Sequence, residues 1–239
     1  MVAVDSGAEV ILPHAGVRPD DVRDLVHGAI FTRGGKSLGS TAIFIGGSDV
    51  ALGEEVLRAA QESFIGPLRV SLMLDSAGAN TTAAAAATIV FDELRARGGE
   101  TRGWRAVVLG STGPVGRRVV RLLAGVGAEV TAASRSAERA ARVAAEVRAA
   151  VGGDVQAVET SSTESLASAL EGAEVVVAAG GPGVRLLPLD ARRRCSSLRL
   201  VIDLNAVPPG GIEGVEARDA GATRTASPRT GRSAWARGR

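Results

Sequence analysis

The stretch that most constrains the fold runs from Arg105 to Ser136 and reads RAVVLGSTGPVGRRVVRLLAGVGAEVTAASRS. An apolar strand pattern is followed by a glycine-rich turn, an amphipathic helix pattern and a second apolar strand pattern. Strand, helix and strand with short connections predict two parallel strands joined by a crossover helix. A helix that begins on glycines offers backbone N–H groups and the positive end of its dipole to an anion. The stretch therefore predicts a site for the pyrophosphate of a dinucleotide.

The glycines of this turn stand at positions 110, 113 and 116, and Ser111 departs from the commoner G-x-G-x-x-G spacing. Gly113 permits a phosphate to approach the backbone closely, and Gly116 lets the helix pack tightly on the sheet. Pro114 suits the first turn of a helix, where its missing N–H is not needed. A glycine turn that holds no ligand is the alternative. The predicted cofactor contacts are Ser111, Thr112, Gly113, Pro114, Val115 and Gly116.

The loop after the second strand carries Ser134, Arg135 and Ser136 and no acidic residue. In this fold an acidic residue near this point binds the ribose of NAD, whereas an arginine accommodates the 2′-phosphate of NADP. A guanidinium suits that dianion, and the two serines can donate hydrogen bonds to it. We predict NADP as the cofactor and keep NAD as an alternative. A solvated surface arginine is the other interpretation of Arg135.

Two later loops complete the predicted cofactor site. Ala179 and Gly180 follow an apolar strand, and their small size leaves room for the nicotinamide ribose. Asn205 follows the next strand and is predicted to hydrogen-bond the nicotinamide carboxamide or a substrate edge. The alternatives are a plain loop after the first of these strands and a turn begun by Asn205.

Strand and helix patterns alternate along most of the chain, which predicts an α/β fold class. A Rossmann-type parallel-sheet NADP domain is predicted over residues 100–217, with strands at 106–109, 129–133, 155–158, 175–178 and 200–204. A smaller N-terminal α/β domain is predicted over residues 1–99, with a cleft between the two. Periodicity disappears in residues 218–239, which are predicted to form an irregular basic tail.

Composition narrows the classes of function. The 239 residues carry a net charge of +2, and six arginines against one acid lie in residues 218–239, so the rest of the chain is slightly acidic. This distribution, with 3% aromatic residues, argues against a nucleic-acid partner. No apolar run approaches the roughly 18–20 residues that span a bilayer, and no signal-peptide pattern opens the chain, so a cytoplasmic protein is predicted. Two histidines and the lone Cys195 suggest no metal site.

A family resemblance is carried by three segments: FTRGGKSLGSTAIFIGGSD (Phe31–Asp49), GPLRVSLMLDSAGANTTAAAA (Gly66–Ala86) and VVLGSTGPVG (Val107–Gly116). Together they resemble the methylene-tetrahydromethanopterin dehydrogenases of methylotrophic bacteria, and DLNAVPP (Asp203–Pro209) resembles that family's segment after the last Rossmann strand. The resemblance implies two α/β domains and a homo-oligomer. It also implies reversible oxidation of a methylene-tetrahydropterin in one-carbon metabolism, with hydride passing to NADP or NAD. Some members also accept methylene-tetrahydrofolate.

Hydride transfer of this kind requires side chains mainly to position the pterin and the nicotinamide in a cleft that excludes water. Lys36 is the single lysine of an arginine-rich chain, and we predict that its ammonium faces the pterin as a catalytic group. The alternative is that Lys36 has no functional role and remains by chance in a chain whose other basic residues are arginines. The predicted substrate-binding residues are Asp75, Ser76, Asn80, Thr81 and Thr82. Helix capping is the competing role for Asn80 and Thr81.

The chain departs from the family pattern at both ends. It begins without the strand and helix that precede the segment matching Val2–Glu9, so an N-terminal truncation is expected. After Gly221 the sequence ATRTASPRTGRSAWARGR replaces a glycine-rich GALGIGG-like loop and a closing helix. A shifted reading frame is the hypothesis for this tail, because codons ending in G or C, read from the last base of the Arg229 codon, give HGALGVGA.

Two other functions fit the same residues. One is a non-catalytic NADP-binding protein, and the other is a different NADP-dependent oxidoreductase. Turnover of the two pterins separates them from the function that the resemblance implies.

Overall fold

The structure is a computed structural model. It describes residues 2–5, 7–33, 35–96, 103–205, 207–216, 219 and 232–234. The chain divides into two compact units, Met1–Ala77 and Gly78–Arg239.

The first unit is a small α/β body. Its elements are α1 (Val2–Asp5), α2 (Val22–Phe31), β1 (Ala42–Ile45), α3 (Val50–Glu62) and β2 (Ser71–Leu74), with 3-10 helices at Pro19–Asp21 and Gly35–Ser40. A further 3-10 helix, Ser76–Gly78, spans the division between the units. The two strands are parallel, and Ile45 lies opposite Leu74. Buried apolar residues of α2 and α3, such as Val26 and Val56, form the core with Ile45.

The second unit alternates strands and helices. It contains α4 (Ala79–Ala96), β3 (Arg105–Leu109), α5 (Pro114–Gly125), β4 (Glu129–Ser134), α6 (Ala137–Val151), β5 (Val155–Glu159), α7 (Thr163–Ala169), β6 (Val175–Ala178), α8 (Leu189–Arg194), β7 (Leu200–Asp203) and β8 (Arg232–Ala234). The strands form one sheet in the order β5-β4-β3-β6-β7-β8, and each neighbouring pair is parallel. The α/β fold class with a Rossmann-type parallel sheet is therefore confirmed.

The register brings the predicted cofactor loops to one edge of this sheet. Leu109 of β3 lies opposite both Ala133 of β4 and Ala178 of β6, and Ala178 lies opposite Asp203 of β7. The loops that follow these four strands are therefore neighbours. The strand order also reverses between β3 and β6, and ligands of open α/β sheets bind outside the carboxyl ends of the strands at such a point.

Helix α4 lies in the second unit, so the units divide at residue 77 and not at the predicted boundary near residue 99. The buried face of α4, which includes Ala83, Val90 and Leu94, belongs to the same apolar core as Val108 and Val119. The small alanine side chains let α4 and α5 approach closely, and burial of this face joins α4 to the second unit.

The tail is not irregular throughout, because Arg232–Ala234 forms β8 and pairs in parallel with β7. An edge strand offers unpaired N–H and C=O groups, and an extended segment can join it without any pattern of apolar side chains. Among the other tail residues only Asp219 is described, so the remainder of this prediction and the reading-frame hypothesis lie outside the described residues.

No helix within the described ranges is both long and apolar enough to cross a membrane.

Candidate functional site

The glycine turn between β3 and α5 is tightly interlocked with its surroundings. Gly110 has a φ of +75°, and a Cβ there would lie 2.9 Å from the backbone nitrogen of Gly180. A Cβ on Gly116 would lie 2.4 Å from the carbonyl oxygen of Gly110. Real Cβ atoms do not approach other atoms so closely, so glycine at position 116 lets α5 pack against the turn itself, whereas the prediction placed this close packing against the sheet.

The N-terminus of α5 has the features that a pyrophosphate requires. The helix begins at Pro114, and no side chain caps it at Gly113, whereas Ser136 caps α6 and Ser162 caps α7. The first N–H groups of a helix have no partner within the helix, so those of Val115 and Gly116 can donate to a phosphate. A Cβ at Gly113 would come only to 3.5 Å from Gly110, an ordinary contact. Internal packing therefore does not require glycine at 113, and close approach of a ligand remains the predicted reason for it.

Ser111 does not offer its hydroxyl to a cofactor. The side chain is fully buried, and its Oγ donates to the carbonyl oxygen of Ala133 at 3.0 Å. The backbone N–H of Ser111 donates to the same oxygen at 3.1 Å. The predicted cofactor contact at Ser111 is replaced by a bond between the end of β3 and β4. Thr112 on the turn and Val115 in the first turn of α5 are half-buried.

The three residues predicted to select NADP have different environments. Ser134 is buried, and its Oγ accepts from the N–H of Ser136 at 3.3 Å. The Oγ of Ser136 accepts from the N–H of Arg139 at 3.4 Å and so caps α6. Arg135 follows β4 directly and is exposed, and no partner for its side chain occurs among the described residues. Arg135 is thus available to a 2′-phosphate, while both serines already serve the local backbone.

The loop after β6 is more crowded than its small residues suggested. The N–H of Ala179 donates to the carbonyl of Leu109 at 2.8 Å. A Cβ on Gly180 would lie 2.7 Å from a methyl carbon of Leu186. Leu186 therefore occupies the side of Gly180 where a side chain would lie, while Ala179 and Gly180 both remain partly exposed.

Asn205 is buried, and its side chain bonds within the protein. Its Nδ2 donates to the carbonyl of Gly181 at 3.1 Å, and its Oδ1 accepts from the N–H of Val207 at 3.2 Å. These contacts match the alternative interpretation of Asn205 as a turn residue. They also join the loop after β7 to the loop after β6.

Asp203, at the end of β7, lies beside the predicted cofactor loops and had no predicted role. Its side chain is 2% exposed, and burial raises the pKa of this carboxyl above its ordinary 3.8. Backbone hydrogen bonds from Asn205, Ile212 and Gly211 act in the opposite direction on the same pKa. The available signal was an acidic residue that ends an otherwise apolar strand and precedes a loop rich in proline and glycine.

The predicted catalytic Lys36 and two of the five predicted substrate-binding residues lie in the first unit. Lys36 is exposed within the 3-10 helix Gly35–Ser40. Asp75 is half-buried, and its N–H donates to the carbonyl of Ile45 at 2.9 Å. Ser76 is 1% exposed, and its Oγ donates to the carbonyl of Gly46 at 3.0 Å. Ser76 therefore braces the loop after β1 and presents no surface to a substrate, unlike Lys36 and Asp75.

The other three lie at the start of α4 in the second unit. The carboxamide oxygen of Asn80 accepts a hydrogen bond from Nε of Arg118 on α5, a residue without a predicted role. Thr81 is exposed, and its Oγ1 donates to the carbonyl of Gly78 at 3.3 Å, while Thr82 is half-buried. Because α4 begins at Ala79, Asn80 lies inside the helix and ties α4 to α5.

Two family models match the chain. Residues 1–77 match the N-terminal domain of methylene-tetrahydromethanopterin dehydrogenase, and residues 110–204 match an NAD(P)H-binding family. Among solved structures, the transhydrogenase from Sinorhizobium meliloti aligns with 80% of this chain and 60% of its own, at 17% identity and a TM-score of 0.46. That likeness is too weak to bear on function.

Curated relatives come from Methylorubrum extorquens AM1. The bifunctional protein MdtA is 48% identical over 221 residues, which cover 92% of this chain and 76% of the relative. An NAD(P)-dependent methylenetetrahydromethanopterin dehydrogenase is 32% identical over 217 residues, or 90% of this chain and 73% of the relative. With the glycine turn, the uncapped α5 and the match over the whole first unit, these similarities show that the chain belongs to the methylene-tetrahydromethanopterin dehydrogenase family.

Proposed function

We propose that this chain is an NADP-dependent dehydrogenase that oxidises methylene-tetrahydromethanopterin to the methenyl form. The observation that carries the proposal is the match to both family relatives over at least 90% of the chain. The uncapped start of α5 and the exposed Arg135 support NADP, and NAD stays as an alternative cofactor. Methylene-tetrahydrofolate is a second substrate of the same chemistry.

The proposed hydride transfer requires neither a metal ion nor a general base. The methylene carbon between two pterin nitrogens loses a hydride, and the nitrogens stabilise the methenyl cation that remains. NADP⁺ bound at the start of α5 would supply the acceptor for that hydride and would leave as NADPH. The contribution required of the protein is orientation of the two reacting carbons and exclusion of water.

The residues divide between the two ligands in this proposal. The N–H groups at the start of α5 hold the pyrophosphate, and the guanidinium of Arg135 pairs with the 2′-phosphate. Lys36, Asp75, Asn80, Thr81 and Thr82 are proposed to contact the pterin. Ser76 is left out because it is buried against Gly46.

An assay of the purified full chain tests the function. NADPH formation is followed spectrophotometrically with methylene-tetrahydromethanopterin and NADP⁺, in parallel with NAD⁺ and with methylene-tetrahydrofolate. Turnover of the first pair supports the proposal. Binding of NADP⁺ without turnover of either pterin contradicts it and favours a non-catalytic NADP-binding protein.

Arg135→Ala tests the cofactor assignment. Loss of a charge-assisted hydrogen bond costs about 1.5–3 kcal/mol, which raises the Kd for NADP⁺ by roughly 10- to 100-fold. The Kd for NAD⁺, which lacks the 2′-phosphate, stays within about twofold on the same reasoning. Arg121→Ala is the matched control, because Arg121 is also an exposed arginine of this unit and lies two turns into α5. Equal effects of the two substitutions would remove Arg135 from the phosphate site.

Lys36→Arg tests the proposed ammonium contact. Arginine keeps the charge but not the compact shape of the ammonium, so we expect kcat to fall by about tenfold with little change in the KM for NADP⁺. Arg23→Lys, at an exposed position of α2 in the same unit, controls for exchange of the cation type. Unchanged kinetics in Lys36→Arg would rule out the role.

The family resemblance also supports a homo-oligomer and a cytoplasmic location. Light scattering of the purified chain measures the first, and fractionation of the cells that produce it measures the second.

A further inference from the structure

A single buried carboxylate organises the loop that follows β7. Oδ1 of Asp203 accepts from the N–H of Asn205 at 2.9 Å, and Oδ2 accepts from the N–H of Ile212 at 2.9 Å. The side chain is 2% exposed, so these bonds are shielded from water. The carboxylate therefore holds both ends of the segment 205–212 against the end of the strand.

The loop residues around this carboxylate leave no room for another side chain. A Cβ on Gly211 would lie 2.8 Å from Oδ1 of Asp203, and one on Gly210 would lie 3.0 Å from Oδ2. Both glycines thus allow the backbone to wrap closely around the carboxylate. The conformation of this loop therefore depends both on the carboxylate of Asp203 and on the two glycines.

The same loop is hydrogen-bonded to the loop after β6. The carbonyl of Gly211 accepts from the N–H groups of Leu186 and Leu187 at 2.8 and 3.0 Å. Nδ2 of Asn205 donates to the carbonyl of Gly181. The loop after β6 in turn abuts the glycine turn, since a Cβ on Gly110 would lie 2.9 Å from the nitrogen of Gly180. A continuous set of contacts therefore runs from Asp203 to the turn that receives the pyrophosphate.

We propose that Asp203 is a positioning residue that fixes the two loops after β6 and β7 in the arrangement that seats the nicotinamide half of the dinucleotide. This inference rests on the cofactor assignment of the proposed function. Asp203 acts through the backbone of both loops and touches neither the cofactor nor the pterin. The adenosine half is held elsewhere, at the start of α5 and at Arg135, so loss of Asp203 affects one half of the cofactor selectively.

Asp203→Asn in the full chain tests the proposal. Asparagine keeps the volume but offers one acceptor where the carboxylate offers two, so one of the two loop bonds is lost. Isothermal titration compares NADP⁺ with adenosine 2′,5′-bisphosphate, which carries the adenosine half alone. We expect the Kd for NADP⁺ to rise about tenfold and that of the bisphosphate to change less than about twofold. In the assay, kcat should fall by at least about tenfold.

The matched control is Glu174→Gln, which weakens a carboxylate at the opposite edge of the same sheet. Glu174 accepts from the N–H of Arg105 at 3.2 Å and pairs with Arg199 at 3.2 Å. This variant should leave both dissociation constants and kcat unchanged. If Asp203→Asn does not fold, Gly211→Ala disturbs the same carboxylate from the loop side and should produce the same selective loss.

Equal weakening of the two ligands, or unchanged NADP⁺ affinity and kcat in a folded variant, would overturn the inference. The binding comparison involves no pterin. If the wild-type chain binds NADP⁺ but does not oxidise the pterin, the proposed function fails while the positioning role of Asp203 is still decided by the ratio of the two dissociation constants.

Discussion

Gly116 is the residue whose size matters most to the glycine turn. A Cβ at this position would lie 2.4 Å from the carbonyl oxygen of Gly110 and 2.8 Å from the Cα of Ser111. Both neighbours are backbone atoms, which cannot rotate away as a flexible side chain can. Any larger residue must push the start of α5 off the turn and displace its N–H groups.

We predict that Gly116→Ala lowers the free energy of unfolding by about 1–3 kcal/mol and weakens NADP⁺ binding. Gly125→Ala, in the last turn of the same helix, is the control, because its Cβ would lie 4.0 Å from Val151. Since alanine favours a helix by about 1 kcal/mol over glycine, that substitution should be neutral or stabilising. Urea unfolding with each variant measures the difference, and a similar loss at both positions would contradict the packing argument.

Asp203 makes stability depend on pH in an acidic window. Its folded-state pKa lies above the ordinary 3.8, so between these two values the folded chain retains a proton that the unfolded chain has lost. The contribution of this group to the free energy of unfolding is therefore largest below pH 3.8 and falls as the pH rises through the folded-state pKa. Measured against pH, the stability difference between wild type and Asp203→Asn should decline over that window. A stability difference that grows with pH would show that the folded-state pKa of Asp203 is lowered and would contradict the prediction.

Single residues also mark the limit of what the sequence can predict. Gly116 was predictable, because the need for a small residue follows from local spacing. Ser111 was assigned to the cofactor by its place in the glycine turn and Ser134 by its hydroxyl, yet the hydroxyl of Ser111 bonds to Ala133 on the neighbouring strand. The partner of a hydroxyl depends on strand register and on burial, and neither can be read from the residue type.

At the level of elements, the N-cap of α6 is a residue that was predicted to bind the cofactor. Ser136 caps this helix by accepting from the N–H of Arg139, next to the exposed Arg135. The helix cap at Ser136 and the proposed contact of Arg135 with the 2′-phosphate therefore lie on adjacent residues. A substitution that preserves the helix cap but adds a negative charge beside Arg135 separates the capping role from cofactor binding.

Ser136→Asp is such a substitution, because aspartate is also a favourable N-cap. We predict that α6 stays folded while the Kd for NADP⁺ rises about tenfold through repulsion of the 2′-phosphate. The Kd for NAD⁺ should change little. Ser162→Asp makes the same exchange at the N-cap of α7, where Oγ accepts from Ser165 at 3.1 Å, and should affect neither cofactor. Circular dichroism checks the helix, and titration checks both affinities.

Helix α4 shows why the strands and helices of this chain are easier to predict than their grouping. Its alanine-rich pattern and its approximate length are visible in the sequence. Small residues indicate a close neighbour but do not identify which one, and the helix packs on α5 rather than within the first unit. The parallel direction of the strands, by contrast, was predictable from the alternation of strands and helices with short connections.

At the level of the whole molecule, the division at residue 77 predicts how the chain can be cut. A fragment of residues 78–239 retains α4 and should unfold cooperatively and bind NADP⁺. A fragment of residues 100–239 lacks α4 and exposes the core that Ala86, Val90 and Leu94 cover, so we expect it to be unstable or aggregated. Thermal unfolding and NADP⁺ titration compare the two. Equal stability of both fragments would instead support the domain boundary predicted near residue 99.

The isolated position of Arg135 has a consequence for how such proteins diversify. The residues of the glycine turn and of the two joined loops hold one another in place, so mutations there alter folding and binding together. The side chain of Arg135 is exposed and has no hydrogen bond or ion pair with another described residue, so we expect its exchange to have little effect on folding. If Arg135 binds the 2′-phosphate as proposed, exchange of this one solvent-exposed side chain should be enough to shift the preference between NADP and NAD without loss of stability.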